Sequence, residues 1–286
     1  MAAAAPRRLL VATDLSDPAG LALRRAARLS AELDGLLTAV HVLPAEFLAG
    51  PGVDVVEMAR ACLGACLDRH IGTAPVEAVV RQGGVVEEIV AEATERDADL
   101  LVVGAHGEHG RAGSLLGSTP ENLLRVSEVP VLVVRAPVER AYRTVVVAVD
   151  TSPAAAEAAR TACALTPHAE HLVVHCATVL GETLLRLHGA TEDDLVRLRR
   201  VSARQVRGHI ERLAGDLTPS PSRVLVESGR AQTRLPELVR HHGADLIALG
   251  TGGRSALGYA LLGSVAQHVL REATADVLVV PATRKD

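Results

Sequence analysis

Leu100-Leu101-Val102-Val103-Gly104-Ala105-His106-Gly107 is followed by nine residues and then by Gly117-Ser118-Thr119-Pro120. Further along, Leu246-Ile247-Ala248-Leu249-Gly250-Thr251-Gly252-Gly253 is followed by nine residues and then by Gly263-Ser264-Val265. Each stretch reads as a short apolar strand, a glycine-bearing loop and a helix start. The same G-x-x-G-x9-G-S spacing in the same context, twice, marks a duplicated unit and not a chance glycine pattern. The echo extends in both directions. Val11-Ala12-Thr13-Asp14 is matched by Val147-Ala148-Val149-Asp150, and Val131-Leu132-Val133-Val134 by Val277-Leu278-Val279-Val280. The separation between echoes widens by about ten residues after the first pair, which assigns an insertion to the second copy within Thr178–Pro221. The expected domains are therefore 1–138 and 139–286, joined by the short junction Ala136–Arg143.

Within the first copy, short apolar runs alternate with helical spacing. Arg8–Thr13, Leu36–Leu43, Val76–Arg81, Leu100–Gly104 and Val131–Arg135 read as strands. Asp17–Asp34 (closed by Gly35), Val53–His70, Val85–Arg96 and Thr119–Val126 read as helices. Strands alternating with helices predict an α/β fold, a doubly wound parallel sheet with right-handed crossovers. Ligands of such sheets bind beyond the strand carboxyl ends.

The residues at those ends suit an anion. Glycine permits positive φ and close backbone approach, successive N–H groups can form a nest, and a helix N-terminus favours negative charge. Gly104, Gly107, Gly117, Ser118 and Thr119 form the candidate cradle of the first copy, and Gly250, Gly253, Gly263, Ser264 and Val265 that of the second. The plainer alternative makes the glycines turn residues, with Ser118 and Ser264 as helix N-caps. Asp14 and Asp150 end the first strands, where a carboxylate would accept from ribose hydroxyls or an adenine amino group; the alternative is an Asx-turn with the following Ser.

These residues resemble the universal stress protein family, in its tandem-domain, ATP-binding form. The resemblance rests on V-A-T-D-L-S-D-P and V-A-V-D-T-S-P, both glycine loops and the two closing strands, and spans nearly the whole chain. It implies two Rossmann-like, adenine nucleotide alpha hydrolase-like domains, each with a five-stranded parallel sheet in the order 3-2-1-4-5. It also implies domain pairing through the fifth strands and a regulatory role in the stress response. ATP, with Mg2+ or Mn2+, is the implied ligand. Asp14 and Asp150 would face the adenosine, Val42 and Cys176 would offer backbone groups to adenine, and the glycine loops would hold ribose and phosphates. The copies depart from one another: Asp276 stands where the first has Pro130, and Thr251-Gly252 where the first has Ala105-His106. Unequal ATP binding is expected.

Composition narrows the remaining classes. Net charge is −4, and Phe47, Tyr142 and Tyr259 are the only aromatic residues, so neither a basic field nor a base-stacking platform points to nucleic acid. No apolar run approaches the ~20 residues of a membrane span, and the start lacks a secretory pattern, so the expected location is cytoplasmic, without a membrane partner. Four cysteines without a CxxC fit a reducing compartment. With Lys285 as the only lysine, no phosphate-binding G-x-x-x-x-G-K-[ST] exists. A binding protein is favoured over an enzyme. The alternative is a slow ATP hydrolase or adenylyl-transfer enzyme using His106, Arg111 or Arg254. His168, His171 and His175 lack the carboxylate or Cys neighbours a metal site needs. The protein partner is not identified by the sequence. An intramolecular domain pair is expected, with a homodimer left open.

Overall fold

The computed structural model describes residues 5–45, 54–107, 116–177, 181–251 and 262–282. They fall into two compact units. The N-terminal unit joins Ala5–Ala141 with Ala275–Pro281, and the C-terminal unit spans Tyr142–Thr274.

The N-terminal unit runs β1 (Arg8–Ala12), α1 (Gly20–Glu32), β2 (Leu36–Pro44), α2 (Val55–Ile71), β3 (Glu77–Gly83), α3 (Val85–Glu95), β4 (Leu100–Gly104), α4 (Ser118–Val126) and β5 (Val131–Val134). Its strands are parallel in the order β3-β2-β1-β4-β5. The central strands carry Leu9, Leu10 and Val11 on β1 and Leu100 to Val103 on β4, all buried, as a sheet covered on both faces requires. α1 ends at its C-cap Leu33, and Asp34 takes the left-handed conformation (φ 52°), so Gly35 is not the helix stop its position suggested.

The C-terminal unit repeats the plan with β6 (Thr144–Ala148), α5 (Pro153–Leu165), β7 (Glu170–Ala177), α6 (Glu182–Leu187), α7 (Glu192–Gly215), β8 (Arg223–Ser228), α8 (Ala231–His242), β9 (Leu246–Gly250) and α9 (Ser264–Glu272). β9-β6-β7-β8 are parallel. The additional residues of the second copy supply α6 and lengthen α7 to 24 residues, against 17 in α2.

The last strand, β10 (Asp276–Val280), groups with the N-terminal unit and pairs antiparallel with β5, Leu278 opposite Leu132. Asp276 explains why proline is absent at its start. Its Oδ1 accepts from the backbone N–H of Arg135 (2.7 Å) and of Ala136 (3.0 Å), while Oδ2 accepts from Arg25 Nε (3.2 Å). Arg25 donates in turn to the Arg140 carbonyl at 3.0 Å. Both side chains of this ion pair are buried, so each charge depends on the other for compensation.

Candidate functional site

Both first strands end in the same local structure. The Oδ1 of Asp14 accepts from the Ser16 N–H (3.1 Å), and that of Asp150 from the Ser152 N–H (2.8 Å). These are Asx-turns, the arrangement anticipated as the alternative for both aspartates. The Ser152 hydroxyl then caps α5 by accepting from Ala155 N–H at 3.2 Å. A histidine on each second strand fixes the same corner. Nδ1–H of His41 donates to the Thr13 carbonyl (2.9 Å) and that of His175 to the Val149 carbonyl (2.8 Å). The reading of the sequence missed both clamps. Their recurrence one residue before Val42 and Cys176 was the available signal.

The glycines serve close approach, not positive φ. None of Gly104, Gly107, Gly117, Gly250 or Gly263 has a left-handed backbone; Gly117 sits at φ −64° and Gly263 at −60°. A Cβ on Gly250 would stand 2.9 Å from the Ala154 backbone of α5, and one on Gly263 3.0 Å from the Thr251 carbonyl. A Cβ on Gly107 would collide with Oδ2 of Asp14, so the structure brings these two predicted residues together. Gly253, like His109, Arg111 and Arg254, lies outside the described residues.

Ser118 and Ser264 are not N-caps. The caps of α4 and α9 are Gly117 and Gly263, and neither helix receives a side-chain cap bond. The first N–H groups of α9 therefore have no side-chain acceptor of the capping kind, as an anion site requires.

In the C-terminal unit these parts border one cavity of about 590 Å³, a size usual for small-molecule sites. Ala148 at the end of β6, Val149 and Asp150 just beyond it, and Val174, His175 and Cys176 from β7 form one wall. Leu249, Gly250 and Thr251 face Gly263 to Ala266 at the start of α9. Ala231, Gln232 and Leu235 come from α8, and Ser202 and Val206 from α7. Gln232 Nε2 donates to the Ser264 hydroxyl at 3.4 Å. Neither Gln232 nor the α7 pair was anticipated: they lie on the helices before and after β8, away from the strand ends and glycine loops to which the repeated motif points. Two helix N-termini, of α8 and α9, meet this cavity without an acidic residue in either first turn. Asp150 is the only charged side chain among its described lining residues. Burial pushes the Cys176 thiol up to about 11, so it stays protonated and contributes shape and a backbone, not a nucleophile.

In the N-terminal unit, Val42 is buried at the matching place on β2, and Asp14 is exposed. Leu15 adopts φ 68°, a conformation costly for a branched side chain. The first turn of α3 carries Glu87 and Glu88 and that of α4 carries Glu121. Among the described residues no cluster of three or more His, Cys, Asp or Glu side chains is arranged to hold a metal, and His171 is engaged with the Thr166 hydroxyl.

A model described as the universal stress protein family matches residues 6–135 and again 141–281. A universal stress protein of Mycolicibacterium smegmatis is 28% identical over 95% of this chain and 96% of its own length. Universal stress protein A homolog 1 of Coxiella burnetii is 33% identical, covering 45% of this chain and 95% of itself. The crystal structure of a universal stress protein from Archaeoglobus fulgidus shares the fold, with a TM-score of 0.69 at 20% identity over 96% of this chain and 97% of that one.

Proposed function

Because the chain belongs to the universal stress protein family through both of its halves, we propose that it is an ATP-binding regulatory protein whose principal nucleotide site is the C-terminal cavity. The observation that carries this reading is the cavity between Asp150 and the uncapped N-terminus of α9. In this assignment the triphosphate lies against the N–H groups of Ser264 and Val265, favoured by the helix dipole. Asp150 accepts from ribose or adenine. The base rests on Val149, Val174 and Leu235, since no aromatic side chain borders the described cavity. In the N-terminal unit Asp14, Val42, Gly104, Gly107, Gly117, Ser118 and Thr119 form the weaker counterpart.

A divalent ion would arrive with the nucleotide and supply charge neutralisation, held by phosphate oxygens, for want of a protein cluster among the described residues. Occupancy shifts the protein only as far as ATP distinguishes its conformations, and a protein partner reads that shift. Hydrolysis is expected below about one turnover per minute, against ~10 s⁻¹ for a typical enzyme.

Mass spectrometry of nucleotide released by denaturing freshly purified protein, followed by calorimetry of the stripped chain, tests the reading. Adenine nucleotide in the released fraction and heat on adding ATP are expected. No heat with ATP, ADP or AMP would overturn it.

A further inference from the structure

The segment that takes up the second copy's additional residues, α6 and the lengthened α7, carries arginine and aliphatic side chains on its outward face. α6 and α7 are held together by two ion pairs, Arg186 to Glu192 at 2.7 Å and Arg199 to Glu182, and within α7 Arg199 also meets Glu192 at 2.9 Å. A capping box of Thr191 and Asp194 starts α7. Beneath, Leu195, Ile210 and Ala214 are buried against the unit. On the outside, Leu184 and Leu187 of α6 are 59% and 77% exposed, and Leu198 and Val201 of α7 are 41% and 51% exposed. Arg197, Arg200, Arg204 and Arg207 are exposed too.

Their spacing of three, four and three residues sets these arginines on one arc of the helix, about 80° wide at ~100° per residue, beside the arc of Val201 and Leu198. From Val196 to Ile210 there is no acidic residue. Arg207 reaches Glu211 at 3.4 Å, while Arg200 and Arg204 form no hydrogen bond or ion pair among the described residues. Like charges three and four apart on a helix repel, and the exposed Leu198 and Val201 on the adjoining arc, with Leu184 and Leu187 of α6, add apolar area at the surface. A chain of net charge −4 thus concentrates cations and aliphatic side chains on the α6–α7 segment.

We propose that this α6–α7 face docks on an anionic lipid bilayer. Arginine guanidinium groups meet the headgroup phosphates, and the exposed aliphatic side chains of α6 and α7 enter the headgroup–acyl boundary. Bare phosphates of a nucleic acid would satisfy the arginines and leave four aliphatic side chains in water, with no aromatic side chain there to stack. The expectation of no membrane partner rested on the lack of a spanning segment, and no helix of the described residues is long and apolar enough to span. Peripheral docking is a different contact.

The test is sedimentation of the full chain with vesicles of phosphatidylcholine, with and without about 30% phosphatidylglycerol. Partition onto the anionic vesicles alone is expected, weakened at about 0.5 M salt, where the screening length is only a few ångström. Arg200→Glu with Arg204→Glu should lower the partition coefficient about tenfold or more. Leu187→Ser with Leu198→Ser should lower it severalfold at unchanged charge, which separates lipid insertion from simple ion exchange. Circular dichroism checks that both variants stay folded. Equal sedimentation with both vesicle types, no sedimentation at all, or binding to duplex DNA or an acidic polypeptide without binding to vesicles would overturn the proposal.

Discussion

The two halves share one plan and differ in electrostatics where it matters for an anion. In the N-terminal unit Glu87, Glu88 and Glu121 occupy the first turns of α3 and α4, the helices whose positive ends would meet a phosphate. Two of these charges are spent on neighbours, Glu88 on Arg81 (2.6 Å) and Glu121 on Arg125 (2.7 Å). In the C-terminal unit the corresponding turns of α8 and α9 carry none. A first-turn carboxylate is worth about 0.3–1 kcal/mol to its helix, and about as much against a ligand anion. Duplication kept the glycine spacing in both copies and left the charge at the neighbouring helix starts to diverge.

The last strands offer the sharpest way to break the symmetry. Asp276→Ala strips the buried Arg25 of its counter-charge and three donors of their acceptor, whereas the first copy starts its equivalent strand at Pro130 without any such device. We expect a loss of roughly 3–5 kcal/mol in urea unfolding. A loss below about 1 kcal/mol would mean the pair is not buried as described.

The next effect is on ligand. Gly263→Glu sets a carboxylate where a Cβ alone would be 3.0 Å from the Thr251 carbonyl. We expect ATP affinity to fall at least about a hundredfold, since bulk and a desolvated like charge add. The matching change at Gly117, whose Cβ would meet the Ala105 carbonyl at 3.4 Å, should remove only the weaker isotherm. Calorimetry showing the reverse would transfer the principal site to the N-terminal half.

A gentler substitution sharpens the same contrast from the other side. Glu121→Gln should raise nucleotide affinity of the N-terminal half about two- to fivefold, the value of one first-turn charge. Unchanged affinity would mean that Arg125 already neutralises it.

The smallest expected difference is a pH slope peculiar to the second copy. His171 is buried, its Nε2–H donating to the Thr166 hydroxyl at 2.9 Å and its Nδ1 without a partner. Burial holds its pKa below the ordinary 6.5, so the folded state resists protonation. Its contribution is whole above about pH 6.5 and is lost as pH falls below that, toward the folded value. Leu37 holds the matching position on β2. His171→Leu should flatten the dependence of the urea midpoint on pH between about 7.5 and 5.5, and an unaltered slope would assign it to another group.

Much of this was legible in the chain itself. Short apolar runs alternating with helical spacing, repeated in the second copy, indicated strand and helix order, because burial on both faces of a parallel sheet demands continuous apolar runs such as Leu100–Val103. The repeated glycine spacing identified places of close approach, although the reason proved to be steric clearance, from backbone at Gly250 and Gly263 and from the Asp14 carboxylate at Gly107, and not left-handed φ.

Tertiary structure alone decided the rest. That Arg25 and Asp276 meet across 251 residues of sequence, that Ser202 and Val206 of the lengthened α7 wall the cavity, and that Gln232 reaches Ser264 are outcomes of packing. Local patterning reports which face of an element is apolar. It carries no record of which distant polar group will find its partner there, since that depends on how whole elements come to rest against one another.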